Sequence, residues 1–155
     1  MSVQTIKSLL QPDGNASPQK IGFLLLNDFS MLAFASAIEP LRAANRQSNS
    51  HLYDWVIASP SGMPAVASNG VEVAADGDAA VLQDCRMVFV CAGLNVRENT
   101  DRNILNLVRR LDRNGAVIGA ICTGTYVMAA AGLLEERRCT IHWAVSYTHL
   151  TLPTS

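Results

Sequence analysis

Two unbroken apolar runs, Ile21 to Leu26 and Met87 to Cys91, limit what this chain can fold into more than any other feature. Neither alternates polar with apolar residues, and both are too short for a buried helix. Runs of this kind read as strands covered on both faces, the habit of parallel sheets. A parallel sheet in turn needs helices as crossovers, and the segments after each run supply them. Ser30 is placed to cap a helix on which Met31, Leu32, Ala35, Ile38 and Leu41 recur at helical spacing to about Arg46. Pro40 is expected to kink or restart that helix, because proline donates no backbone bond.

The same alternation continues. Tyr53 to Ser59 reads as a strand closed by Pro60-Ser61-Gly62, and Asn69-Gly70 as the turn of a small hairpin between Pro64–Ala67 and Val71–Ala74. Asp76 to Leu82 suits a short helix. Asn99 to Asn114 is amphipathic, with Ile104, Leu105, Val108 and Leu111 directed inward and Arg102, Arg109 and Arg113 toward water. Ala116 to Ile121 is a fourth strand, and Thr123 to Leu133 a helix of small residues. Strand-helix alternation implies right-handed crossovers, a mainly parallel sheet and helices on both sides.

Composition excludes several functions. With 49% apolar and 16% charged residues and a net charge of −1, the chain has a core but no basic footprint for nucleic acid or an anionic membrane. No stretch approaches the roughly 18 consecutive apolar residues of a membrane span. Residues 1–19 are polar, contain two prolines and read as a flexible leader, not a signal peptide. Cys85, Cys91, Cys122 and Cys139 lack C-x-x-C spacing, as thiols of a reducing, cytoplasmic compartment do, so neither a disulfide framework nor a metal site is expected. No cofactor is implied.

The last eleven residues, Val145 to Ser155, carry no charge and break the preceding pattern. The string from Val145 to Thr154 is the translation of GTC TCT TAT ACA CAT CTG ACG CTG CCG ACG, which resembles a transposon-end sequencing adapter. Residues 145–155 are therefore set aside, as a fusion scar would be. The α/β domain then covers residues 20–144 and is expected to be incomplete at its C-terminal side.

Chemistry concentrates in Gly119-Ala120-Ile121-Cys122-Thr123-Gly124-Thr125. An apolar strand runs into a thiol and a helix begins at once, the arrangement of a nucleophile elbow with cysteine in place of serine and small residues two positions either side. Strand ends of open α/β sheets are where ligands bind, and the N–H groups opening a helix can hold a carboxylate or oxyanion. The plainer alternative is a small core cysteine following a strand.

The segments IGFLLLNDFS, AIEPLRAAN, ICTGTYVMAAAGLL and CTIHW together resemble the amino-terminal domain of GlxA-type regulators of the AraC family, which belongs to the PfpI branch of the class I glutamine-amidotransferase-like superfamily. The resemblance implies a flavodoxin-like three-layer sandwich. It also implies a homodimeric sensor of a small-molecule effector, with DNA bound only through a C-terminal helix-turn-helix domain not contained in these residues. It extends to regulators answering to glycine betaine, carnitine or arginine, so a small amine, betaine or amino acid is the implied effector class. Asp28, Cys122, Thr123 and His142 are the candidate ligand-binding residues.

Enzymes of the PfpI branch pair the elbow cysteine with an acid near the start of the first helix. Here that place falls at or near Ala33, with Asp28 before it and Glu39 about two turns on. A thiol with His142 but without an orienting acid is poorly equipped for general acid–base work. A sensor is thus expected rather than an enzyme. The alternative is a stand-alone cysteine-dependent hydrolase or glyoxalase-like enzyme, with Cys122 as nucleophile and His142 beside it. Trp143 can offer a π face to a cation or fill the core.

Overall fold

In the computed structural model the described residues are 17–135 and 139–140. In chain order the elements are β1 (Gln19–Leu25), α1 (Met31–Ser48), β2 (Tyr53–Ala58), β3 (Ala65–Val66), β4 (Glu72–Val73), a 3-10 turn (Ala79–Leu82), β5 (Met87–Ala92), α2 (Arg102–Arg113), β6 (Val117–Cys122) and α3 (Gly124–Ala130). Four strands pair in parallel in the order β2-β1-β5-β6, while β3 and β4 form the expected antiparallel hairpin around Gly70, at φ 83°.

Alternation along the strands splits the core in two. Ile21, Phe23 and Leu25 face Phe29, Phe34 and the inner side of α1, with Phe89 and Cys91 beside them. Leu24, Leu26, Val88 and Val90 face the opposite way, against Ile104, Leu107, Val108 and Leu111 of α2 and Val127 of α3. The result is a three-layer sandwich, with α1 and the hairpin on one side and α2 and α3 on the other. The chain leaves β1 toward β2 by way of one face, and leaves β5 toward β6 by way of the other. Between β1 and β5 the two crossovers diverge, which makes the strands' C-terminal ends there a topological switch point, the place where open α/β sheets bind ligands.

Local chemistry explains the element ends. The Ser30 hydroxyl oxygen accepts the Ala33 N–H at 3.3 Å, and Asn49, left-handed at φ 49°, closes the helix through N–H bonds to the Arg46 and Asn45 carbonyls. The helix does not restart at Pro40; it runs through it. Pro40 and Ser36, whose carbonyl loses its partner, both lie on the exposed side, where water can take the lost bond. Helix α2 begins at Arg102, three residues later than the sequence pattern suggests, because the Asp101 carboxylate accepts the Ile104 N–H at 2.9 Å.

Arg109 departs from expectation. Instead of facing water, its Nε donates to the Ala131 carbonyl at 2.9 Å and Nη2 to Ala130 at 3.2 Å. The last carbonyls of α3 lack intrahelical donors, and a guanidinium satisfies them and the helix dipole together. Asn45 fastens α1 to β2: its side-chain oxygen accepts the Leu52 and Tyr53 N–H groups and its amide donates to the Tyr53 carbonyl.

Candidate functional site

Three non-glycine residues with left-handed backbones stand at the C-terminal ends of neighbouring strands: Asp28 after β1 (φ 62°), Asn95 after β5 (φ 51°) and Cys122 at the end of β6 (φ 57°). Asp and Asn adopt this region readily, whereas at Cys122 it costs about 1–3 kcal/mol and persists only where the surroundings impose it. At Cys122 the cause is the elbow. The strand is in register with β5 up to Ala92 opposite Cys122, and α3 starts two residues on. Gly124 makes this possible, since a Cβ there would overlap the Val90 carbonyl oxygen and come close to Ala120. The glycine two positions after the thiol is thus required by main-chain proximity. The Cys122 thiol is half-buried.

Thr123 is 3% exposed, and its hydroxyl donates to the Gly93 carbonyl at 2.7 Å, tying the elbow to the loop after β5. Gly93 in turn presses on Asp28: a Cβ on it would overlap the Asp28 carbonyl oxygen, which accepts the Leu94 N–H at 2.9 Å. The Asp28 side chain turns toward the same loop. Its Oδ2 accepts Asn95 Nδ2 at 3.0 Å and Asn99 Nδ2 at 3.2 Å, and no described residue bonds Oδ1. On its other side Asp28 and its neighbour Phe29 are bonded to the main chain of the hairpin. The Asp28 N–H donates to the Val66 carbonyl at 2.8 Å, and the Ser68 N–H donates to the Phe29 carbonyl at 2.9 Å.

Asp28, Cys122 and Thr123 are therefore brought to one end of the sheet, as the sequence suggests, while His142 and Trp143 lie outside the described residues. Sequence reasoning missed Asn95 and Asn99. The available signal was a pair of amides four apart in the segment after a glycine-ended strand, but their partner lies 67 and 71 residues upstream.

No carboxylate accompanies the thiol at the start of α1. Ala33 sits in its first turn, and Glu39 lies on the exposed side, bonded to Arg42 Nε at 2.8 Å. The Arg42 hydrogen bond holds the Glu39 carboxyl below its usual range. Among the described residues no three His, Cys, Asp or Glu side chains converge as a metal site would need. All four thiols are free; burial pushes the Cys85 and Cys91 thiols up, which keeps them neutral. A cleft of about 530 Å³ runs not at the strand ends but along the outer edge of β6, between Ile118, Met128, Leu134 and Cys139. It follows from β6 having a neighbour on one side only among the described residues. Among the described residues no helix is long and apolar enough to cross a membrane.

Against known proteins, the DJ-1/PfpI family model matches residues 19–153. The HTH-type transcriptional regulator CdhR of Pseudomonas aeruginosa is 45% identical over 81% of this chain and 37% of its own length. The HTH-type transcriptional regulator GlxA of Rhizobium meliloti is 43% identical over 81% of this chain and 39% of its own. The chain thus spans under two fifths of these curated relatives. A crystal structure of an AraC family transcriptional regulator from Pseudomonas putida superposes with a TM-score of 0.74 at 26% identity, over 83% of this chain and 69% of that one.

Proposed function

The chain belongs to the DJ-1/PfpI family, and we propose that it is the effector-sensing domain of an AraC-type transcription regulator rather than a cysteine enzyme. The observation that carries this reading is Asp28 at the switch point between β1 and β5, with no described residue bonded to its Oδ1, at the same end of the sheet as an elbow cysteine that lacks an acid on α1. Identity above 40% to two transcription regulators supports it. A small amine, betaine or amino-acid metabolite places its cationic group at Asp28. Cys122 stands at the end of β6, and His142 completes the proposed set. Thr123 acts through the Gly93 carbonyl, since its donor is already engaged there.

In the full-length regulator this domain dimerises, and a helix-turn-helix domain carries DNA binding. The described elements include no recognition helix, and the net charge of −1 gives no overall basic character. Operator affinity of the full-length protein is expected to change with one member of a panel of glycine betaine, carnitine and amino acids, and Asp28→Asn is expected to abolish that response. Unchanged affinity across the panel overturns the sensing reading.

The left-handed cysteine favours one second reading, a stand-alone hydrolase or glyoxalase-like enzyme. Turnover of glyoxals or peptides that Cys122→Ser abolishes establishes it; no turnover by the unaltered protein removes it. The sensor reading also takes residues 145–155 as translated adapter. Resequencing the locus downstream of the Ala144 codon tests both. A frame running on into paired helix-turn-helix motifs supports the regulator, and one that closes the α/β domain and stops puts the enzyme first.

A further inference from the structure

The segment from Gly93 to Thr100, between β5 and α2, is fastened on both sides, to the end of β1 and to the start of α3. Toward β1, Leu94 N–H donates to the Asp28 carbonyl, and the Asn95 and Asn99 amides both donate to Asp28 Oδ2. Toward α3, Gly93 accepts the Thr123 hydroxyl, and the Arg97 guanidinium lies 5.7 Å from the centre of the Tyr126 ring. The segment is itself coiled, with Asn99 N–H donating to the Asn95 carbonyl at 3.0 Å and only Val96 sunk into the core. Two amides four residues apart thus depend on one carboxylate oxygen. The other oxygen has room for a donor, because an ionised carboxylate offers about four acceptor sites.

We propose that Asn95 and Asn99 form a latch on Asp28, and that a cationic effector opens it. Resting on the sensor reading, the inference names how the site is read out. The positive charge of an ammonium or guanidinium group competes for the Asp28 carboxylate and draws its charge away from Oδ2. The two amides then lose the charge-assisted part of their bonds, and the Gly93–Thr100 segment loosens. Arg97 passes the change to Tyr126 on α3, and Asp101, the cap of α2, directly follows the segment. Occupancy of one carboxylate thereby alters two helices of one layer without any movement of the sheet. A residue that merely builds the site weakens binding when removed; a latch member opposes binding, and its removal strengthens it.

The test is amide hydrogen exchange across residues 93–100 in the whole chain, with residues 20–26 of β1 as internal reference. It compares the unaltered protein with Asp28→Asn, which keeps a residue type tolerant of the left-handed backbone, and with Asn99→Ala. Without ligand, both variants are expected to exchange about tenfold faster at 93–100, the order lost with one charge-assisted hydrogen bond, with 20–26 unchanged. Calorimetry with L-arginine, carnitine and glycine betaine gives the second arm. A probe that binds should speed exchange at 93–100 and bind Asn99→Ala more tightly than the unaltered protein. Unchanged exchange in ligand-free Asp28→Asn overturns the latch, as does a bound probe that leaves 93–100 equally or better protected. If Asp28→Asn loosens the segment while no probe binds, the latch stands and the proposed effector class falls.

Discussion

Strands β1 and β6 are both apolar in sequence, yet their situations differ. β1 is paired on both sides, and every residue from Ile21 to Leu26 is buried. β6 pairs only with β5 among the described strands, and all six of its residues are half-buried. The strain also differs. β1 ends in regular backbone, and its left-handed residue comes only at Asp28, whereas β6 carries its own at its last position, Cys122. The central strand thus supplies cohesion, and the outer one supplies the bend that presents a thiol. An apolar run in sequence reports burial of faces but not the presence of a lateral neighbour.

Substitutions can break or sharpen this contrast. The largest effect is expected at Phe23, which is 0% exposed and packs edge-on against Phe34 and in a stack with Phe89. Phe23→Ala should cost about 3–5 kcal/mol in urea unfolding, while Ile118→Ala on β6 should cost less than about 2 kcal/mol. Equal losses would erase the distinction between the strands. Next, Gly124→Ala should destabilise by about 1–3 kcal/mol, because main chain rather than a flexible side chain stands in the way; a neutral result would mean that the elbow relaxes freely.

Smaller effects follow. Cys122→Gly relieves a left-handed backbone while adding glycine's entropy, so its unfolding midpoint should stay within about 0.5 kcal/mol of the unaltered protein, whereas Ala120→Gly should lose about 0.5–1 kcal/mol. A clear loss at Cys122 would show that the thiol packs more than it strains. The smallest effect concerns Cys91. Its folded thiol is raised above the ordinary value of 9.0 by burial, so its contribution is whole below that value and falls as pH rises and the unfolded thiol ionises. From pH 8 to pH 9 this amounts to about 0.3 kcal/mol, a slope that Cys91→Ala should remove.

Much of the architecture was legible because periodicity encodes burial. The two apolar runs, the Ser30 cap, the Asn69-Gly70 turn and the small residues around Cys122 all appear where local chemistry puts them. Three things were not legible. Pro40 is harmless only because its side of α1 meets water, which depends on tertiary placement. Arg109 is half-buried because the carbonyls ending a different helix arrive beside it. Asn95 and Asn99 belong to the site through Asp28, and a pairing over some seventy residues leaves no periodic trace. The strand order likewise came from family resemblance, since a pattern within one strand does not name its neighbours.

The hairpin is joined to Asp28 and Phe29 through main-chain bonds at Val66 and Ser68, and those bonds ask nothing of the side chains at these two positions. Such a join is free to drift. Related sequences can exchange the exposed side chains at Ser68 and Val71 as surface demands change without disturbing those bonds. A one-residue insertion between Val66 and Ser68 is another matter, because it would slide the carbonyl away from Asp28. Selection on this stretch should therefore act on length and leave spelling loose.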